Sequence, residues 1–169
     1  MDFSTLKIIA KWRDKTLGFF VMVIVSAMVL AVLWQVFTRL ILKNPAIWTE
    51  ETSTILLMWT GILAASLAYG KKAHVSMEYF AQKLSFKKGK ILDLVITFLV
   101  AVFAFYVMLV GGIRYITIIF QTGQTSPTLG IKTGYFYLCL PISAFFILTY
   151  CIEFFVQDLL ILSGKRSDK

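Results

Sequence analysis

Four long apolar stretches set the limits on what this chain can fold into. They run over residues 17–38, 52–70, 91–115 and 134–158, and segments carrying lysine and arginine lie between them. A bilayer core about 30 Å thick needs about 20 apolar residues per helical crossing. Inside it, backbone N–H and C=O groups have no water to bond, so a span of this length and composition is a helix. With 169 residues, 59% hydrophobic and 15% charged, and a mean hydropathy of +0.80, the chain has no room for a sizeable soluble domain. The sequence predicts an all-α integral membrane protein, one membrane domain over residues 1–169 with four transmembrane helices.

The first stretch follows a basic segment holding Lys7, Lys11, Arg13 and Lys15, an arrangement shared with signal peptides. It exceeds the roughly 7–15 residues of a signal core and runs into Gln35-Val36-Phe37-Thr38-Arg39 without a small-residue cleavage site, so it reads as an uncleaved helix.

Orientation follows from the cations. The leading segment holds four, the stretch Lys71 to Lys90 six and the tail from Lys165 three, whereas Arg39, Lys43, Arg114 and Lys132 are alone on the opposite side. Lysine and arginine accumulate on the cytoplasmic side, so both termini and the middle loop are expected there (N-in/C-in). Two further segments, 3–14 and 76–86, show helical apolar spacing. Phe3, Leu6, Ile9 and Ala10 share one face of the first, and Met77, Phe80, Ala81 and Leu84 one face of the second. They read either as short amphipathic helices lying flat at the cytoplasmic interface or as solvated connectors. Lys71, Lys72, Lys87 and Lys88 are placed to contact lipid head groups.

The net charge of +8 does not signal nucleic acid, because these cations sit between spans and no nucleic-acid-binding motif accompanies them. Cys139 and Cys151 lie twelve positions apart in one apolar run, about 18 Å along a helix. That is beyond disulfide reach, and both read as packing residues.

Little in the spans suggests chemistry. Asp93 stands at the start of the third, where the helix dipole favours a carboxylate, Arg114 near its outer end, and Glu153 towards the inner end of the fourth. All three read either as structural or as polar contacts with a partner, the structural reading being favoured, and no buried acid suited to proton coupling is evident. His74 is the only histidine, so neither a bis-histidine haem nor a metal site is expected. No phosphate loop or catalytic triad is present, and no cofactor or enzymatic activity is expected.

The second span is richer. Glu50-Glu51 precede it beside Trp48, an aromatic interface anchor. The carboxylates fit a purely dipolar role and a functional contact equally well. Gly61 with Ala65, and Ala64 with Ala68, are spaced four apart, which permits close approach of another helix in lipid, from this chain or from a partner. Pro141 in the fourth span is expected to kink it, and Gly111-Gly112 to allow bending or close approach. The polar, turn-rich segment 121–127 either connects two helices or docks a periplasmic partner.

In order along the chain, these pieces resemble the small membrane subunit (DctQ or SiaQ type) of tripartite ATP-independent periplasmic (TRAP) transporters. The first matching block is Trp48-Thr49-Glu50-Glu51, then Trp59, then Lys71-Lys72-Ala73-His74-Val75-Ser76-Met77-Glu78. The second is Ser126-Pro127-Thr128-Leu129-Gly130-Ile131, followed by Tyr137 and Pro141-Ile142-Ser143. One departure is visible: Thr54 stands where many members carry arginine, which leaves Arg39 as a candidate partner for Glu50 and Glu51.

The resemblance implies a non-catalytic scaffold for a large, sodium-driven TRAP membrane subunit, supplied by a periplasmic substrate-binding protein. The cargo would be an organic acid of the sialic acid or C4-dicarboxylate class. It makes Trp48, Glu50, Glu51, Trp59, Gly61, Ala65, Ala68 and Arg114 the candidate subunit interface. Lys43, Gln124, Ser126, Pro127 and Lys132 become the candidate docking points for the binding protein. The competing readings are a small multidrug-type exporter, disfavoured because the first span holds no acid, and a structural or assembly membrane protein unrelated to transport. The charge asymmetry makes a direct prediction: a reporter fused to either terminus shows cytoplasmic activity, and one inserted between residues 123 and 124 shows periplasmic activity.

Overall fold

The computed structural model describes residues 3–44, 46–71 and 86–162. The second amphipathic segment, apart from Phe86, and Lys72 and His74 lie outside them, as do the side chains of Lys87 and Lys88. Among the described residues the structure is helical, with one isolated antiparallel bridge between Thr125 and Lys132. Helix α1 spans Phe3–Leu40, α2 Ile47–Gly70 and α3 Phe86–Phe103; a π-helical stretch, Ala104–Gly111, joins α3 to α4, Gly112–Thr122. A 3₁₀ turn, Thr133–Leu138, leads into α5, Cys139–Leu162.

Four stretches are long and apolar enough to cross a bilayer: Ala10–Leu40, Ile47–Gly70, Gly89–Thr122 and Thr133–Leu160. Their most apolar windows have mean hydropathies of 2.7, 1.4, 2.7 and 2.0. The four expected spans are therefore present, each somewhat longer than the apolar stretch read from the sequence. The segment 3–14 is not separated from the span that follows it, because α1 continues through both as one helix.

The chain divides into two compact units. The first comprises Met1–Leu67 with Tyr115–Cys139. In it α1 approaches α2 where a Cβ on Gly18 would lie 3.9 Å from Leu67 Cδ2. Leu17, the neighbour of that glycine, is 1% exposed. The end of α4 packs on the 3₁₀ turn: the Phe120 ring crosses that of Tyr135 at 5.2 Å and fills the space where a Cβ on Gly134 would stand.

The second unit comprises Ala68–Arg114 with Leu140–Lys169. Its core is aromatic. Tyr150 is fully buried, stacks on Phe154 with centroids 6.3 Å apart, and lies against Gly70. Tyr69 meets the same Phe154 edge-on at 5.7 Å, and its hydroxyl is in hydrogen-bond contact with Cys151 Sγ at 3.4 Å. Both cysteines are buried and neither is in a disulfide.

The two expected helix irregularities take specific forms. Of the glycine pair, Gly112 makes the close approach: a Cβ there would stand 3.2 Å from Leu140 Cβ. Gly111 instead closes the π-helical stretch. Pro141 is the third residue of α5, in the first α-helical turn after the 3₁₀ segment. The first four N–H groups of an α-helix have no intrahelical partner, so a proline there leaves the ladder intact. The irregularity lies two residues upstream, where 3₁₀ gives way to α.

Gly70 and Gly61 offer a matched pair of substitutions. Gly70→Ala drives a methyl into the buried Tyr150 ring, and overpacking of this kind costs about 1–3 kcal/mol. Gly61→Ala meets nothing within 4 Å. Thermal unfolding of the purified chain in detergent is expected to show a clear loss for the first and little change for the second.

Candidate functional site

The site is built where the start of α2 meets the loop over residues 123–132, within the first unit. The loop follows from its own sequence. Gly123 and Gly130 both take φ +66, a left-handed conformation that glycine adopts without a Cβ clash. Main-chain bonds from Thr133 N–H to Gln124 O (3.0 Å) and Ser126 N–H to Ile131 O (2.8 Å) tie its strands together. Between them, Ser126-Pro127-Thr128-Leu129-Gly130 forms a single turn. Gly130 N–H donates to Ser126 O at 3.1 Å, and Leu129 N–H donates to Ser126 Oγ at 3.0 Å. Ser126 thus caps the turn with its hydroxyl. Pro127 occupies the position where a missing N–H costs nothing.

Glu51 closes this arrangement. Its Oε1 accepts the Ser126 hydroxyl, and its Oε2 accepts Thr128 N–H at 3.2 Å. Ser126 is 4% exposed, so the bond it makes satisfies a group cut off from water. The start of α2 holds Glu51 in place: Thr49, fully buried, donates its hydroxyl to Ala46 O, and Ser53 and Thr54 donate theirs to Thr49 O and Glu50 O one turn back. The two halves of the Glu50-Glu51 pair therefore differ, because Glu51 clamps the loop and Glu50 is exposed. Arg39 pairs with neither carboxylate among the described residues.

Beside this clamp lies a cleft of about 270 Å³, lined by Glu51, Thr54, Ile55, Met58, Ser126, Pro127, Thr133, Phe136 and Tyr137. Most of the other sequence-predicted residues do not line this cleft. Trp48, Gly61, Ala65 and Arg114 are exposed, and Trp59 and Ala68 half-buried. Lys43, at φ 48, Gln124 and Pro127 are exposed on the loops. Lys132 is also exposed, with Nζ 5.9 Å from the centroid of Phe120. Lys71 is exposed at the end of α2. The structure brings together Glu51, Ser126 and Pro127, drawn from the two separate candidate sets.

A second polar cluster, in the other unit, holds a buried acid that the sequence analysis did not single out. Asp158, 2% exposed, accepts from Lys90 Nζ at 3.3 Å, and Asp93 lies 3.8 Å from the same nitrogen. Of the three acids and bases singled out in the spans, Asp93 belongs here, Glu153 accepts from Gln157 at 3.1 Å, and Arg114 is exposed. The signal for Lys90 and Asp158 was present. The inferred orientation puts the start of the third span and the end of the fourth at one membrane face, so opposite charges there can pair. Such a pair roughly breaks even against its desolvation, but removing one partner costs about 3–5 kcal/mol. Its position near the span ends and its paired state suit helix registration. Among the described residues no group of three or more metal-ligating side chains occurs.

These features define a multi-pass helical membrane protein whose most structured polar site organises an extramembrane loop. Residues 28–160 match the family described as "Tripartite ATP-independent periplasmic transporters, DctQ component". The chain is 27% identical over 149 residues to the "Sialic acid TRAP transporter small permease protein SiaQ" of Vibrio cholerae serotype O1, covering 85% of this chain and 82% of that protein. The chain belongs to the DctQ family: it is a small permease subunit of a TRAP transporter, a multi-pass protein of the bacterial inner membrane. Membership implies partnership with a large membrane subunit and a substrate-binding protein.

The two carboxylates at the start of α2 are expected to separate on mutation. Glu51→Ala leaves the Ser126 hydroxyl and Thr128 N–H without their acceptor, a loss of about 1–3 kcal/mol. Hydrogen exchange at Thr128 and Leu129 should accelerate in Glu51→Ala and stay unchanged in Glu50→Ala.

Proposed function

We propose that this chain is the non-transporting, bilayer-fixed scaffold of a sodium-driven TRAP transporter, with both termini in the cytoplasm. A large membrane subunit carries an organic acid past it, and a periplasmic binding protein supplies that acid. The observation that supports this division of labour is where the charge lies. Residues 16–38, 52–70, 94–113 and 133–152 contain no Asp, Glu, His, Lys or Arg, whereas a carrier that couples cargo to an ion gradient places polar groups near mid-membrane. The buried acid Asp158 is paired with Lys90 near a span end.

The cargo belongs to the carboxylate class of sialic acid or the C4-dicarboxylates, and the Vibrio cholerae relative, by its name a subunit of a sialic acid transporter, favours the first. Trp48, Glu50, Trp59, Gly61, Ala65, Ala68 and Arg114 face the large subunit in this reading. Lys43, Gln124, Pro127 and Lys132 face the binding protein, and Lys71, Lys72, Lys87 and Lys88 the lipid phosphates.

Reconstitution tests the proposal. Liposomes holding only this chain are expected to take up no sialic acid under an inward sodium gradient. Uptake should appear when the large subunit and binding protein are added. Transport by the single chain would overturn the scaffold role.

A further inference from the structure

The cleft beside Glu51 has the chemistry of a socket for a cation. The carboxylate offers about four lone-pair sites. Ser126 and Thr128 occupy two and fix its orientation, and two are left. No lysine or arginine forms an ion pair with Glu51 among the described residues. The rest of the lining is largely apolar, with Ile55, Met58 and Phe136 along its length. A group that fits such a space combines a positive head with an aliphatic stem.

The surroundings indicate where that group comes from. Thr54 lines the cleft and also belongs to the exposed face of α2, with Glu50, Leu57, Gly61 and Ala65. These positions recur at intervals of three and four, so they form one stripe. A Cβ on Gly61 would meet nothing within 4 Å. Three of the five side chains are small, which lets another helix come close in lipid. A lipid tail has no need of such a face.

We propose that the Glu51 cleft receives an arginine or lysine side chain of the large membrane subunit, carried at the outer end of a transmembrane helix that packs along the exposed face of α2. This rests on the scaffold reading and adds to it the chemistry of the contact: the partner's cation neutralises Glu51, while its stem covers Ile55 and Met58. The carboxylate is preset by its two hydrogen bonds, so little ordering accompanies docking.

Thr54→Cys provides the probe. Because Cys139 and Cys151 are buried, labelling by a water-soluble maleimide above the parent background reports the cleft. The variant is expected to react readily in vesicles containing this chain alone and to lose most of that reactivity once the large subunit is co-reconstituted. Affinity for the large subunit, measured by titration in nanodiscs, should fall about tenfold or more in Glu51→Gln, the scale for breaking a buried charged contact. It should change far less in Ser126→Ala, which loosens the loop but keeps the charge. Equal losses in the two variants would mean that loop shape, not charge, makes the contact, and would overturn the proposal. Protection in phosphatidylethanolamine vesicles without the large subunit would assign the cleft to a lipid ammonium and overturn it as well. Wild-type association with an unprotected probe would remove the cleft assignment alone. Failure of the wild-type chains to associate would remove the scaffold reading with it.

Discussion

Backbone hydrogen bonding in a medium without water governs this molecule. Every N–H and C=O within the hydrocarbon must find a partner in the chain, and the helix supplies one locally. The consequence reaches side chains too: Ser26, Thr52, Ser66 and Thr149 each donate to a carbonyl three or four residues back. The exceptions to α geometry are short. A π-helical stretch closes at Gly111, and a 3₁₀ turn precedes Pro141.

Outside the membrane the rule changes, because loops depend on polar side chains for definition. The loop over residues 123–132 draws its shape from two left-handed glycines, a serine cap and one distant carboxylate. Glu51 therefore has a local role that needs no partner protein, and it is Glu50, one residue earlier, that stays exposed. Adjacent identical residues on a helix point about 100° apart, which is enough to send one into the fold and the other to the surface.

The spans were legible because their signal is compositional and long: twenty apolar residues leave few alternatives. The Glu50-Glu51 start and the Ser126-Pro127 turn were legible as separate motifs. Their joining was not, since 75 residues separate Glu51 from Ser126 and no periodicity reports a contact at that distance. Lys90 and Asp158 were missed for a related reason. Each looked like a flanking charge at a span end, and only helix packing shows that Asp158 is almost fully enclosed. Pro141 misled in the other direction: a proline in an apolar run suggests a kink until the true start of the α-helix is known.

The length of α1 has a mechanical consequence. Its 38 residues make a rod about 57 Å long at 1.5 Å per residue, nearly twice the depth of the hydrocarbon. Because the basic lead and the membrane-crossing portion share one ladder, they pivot together. A tilt of the lysine-bearing end is therefore carried along the same ladder to the other end.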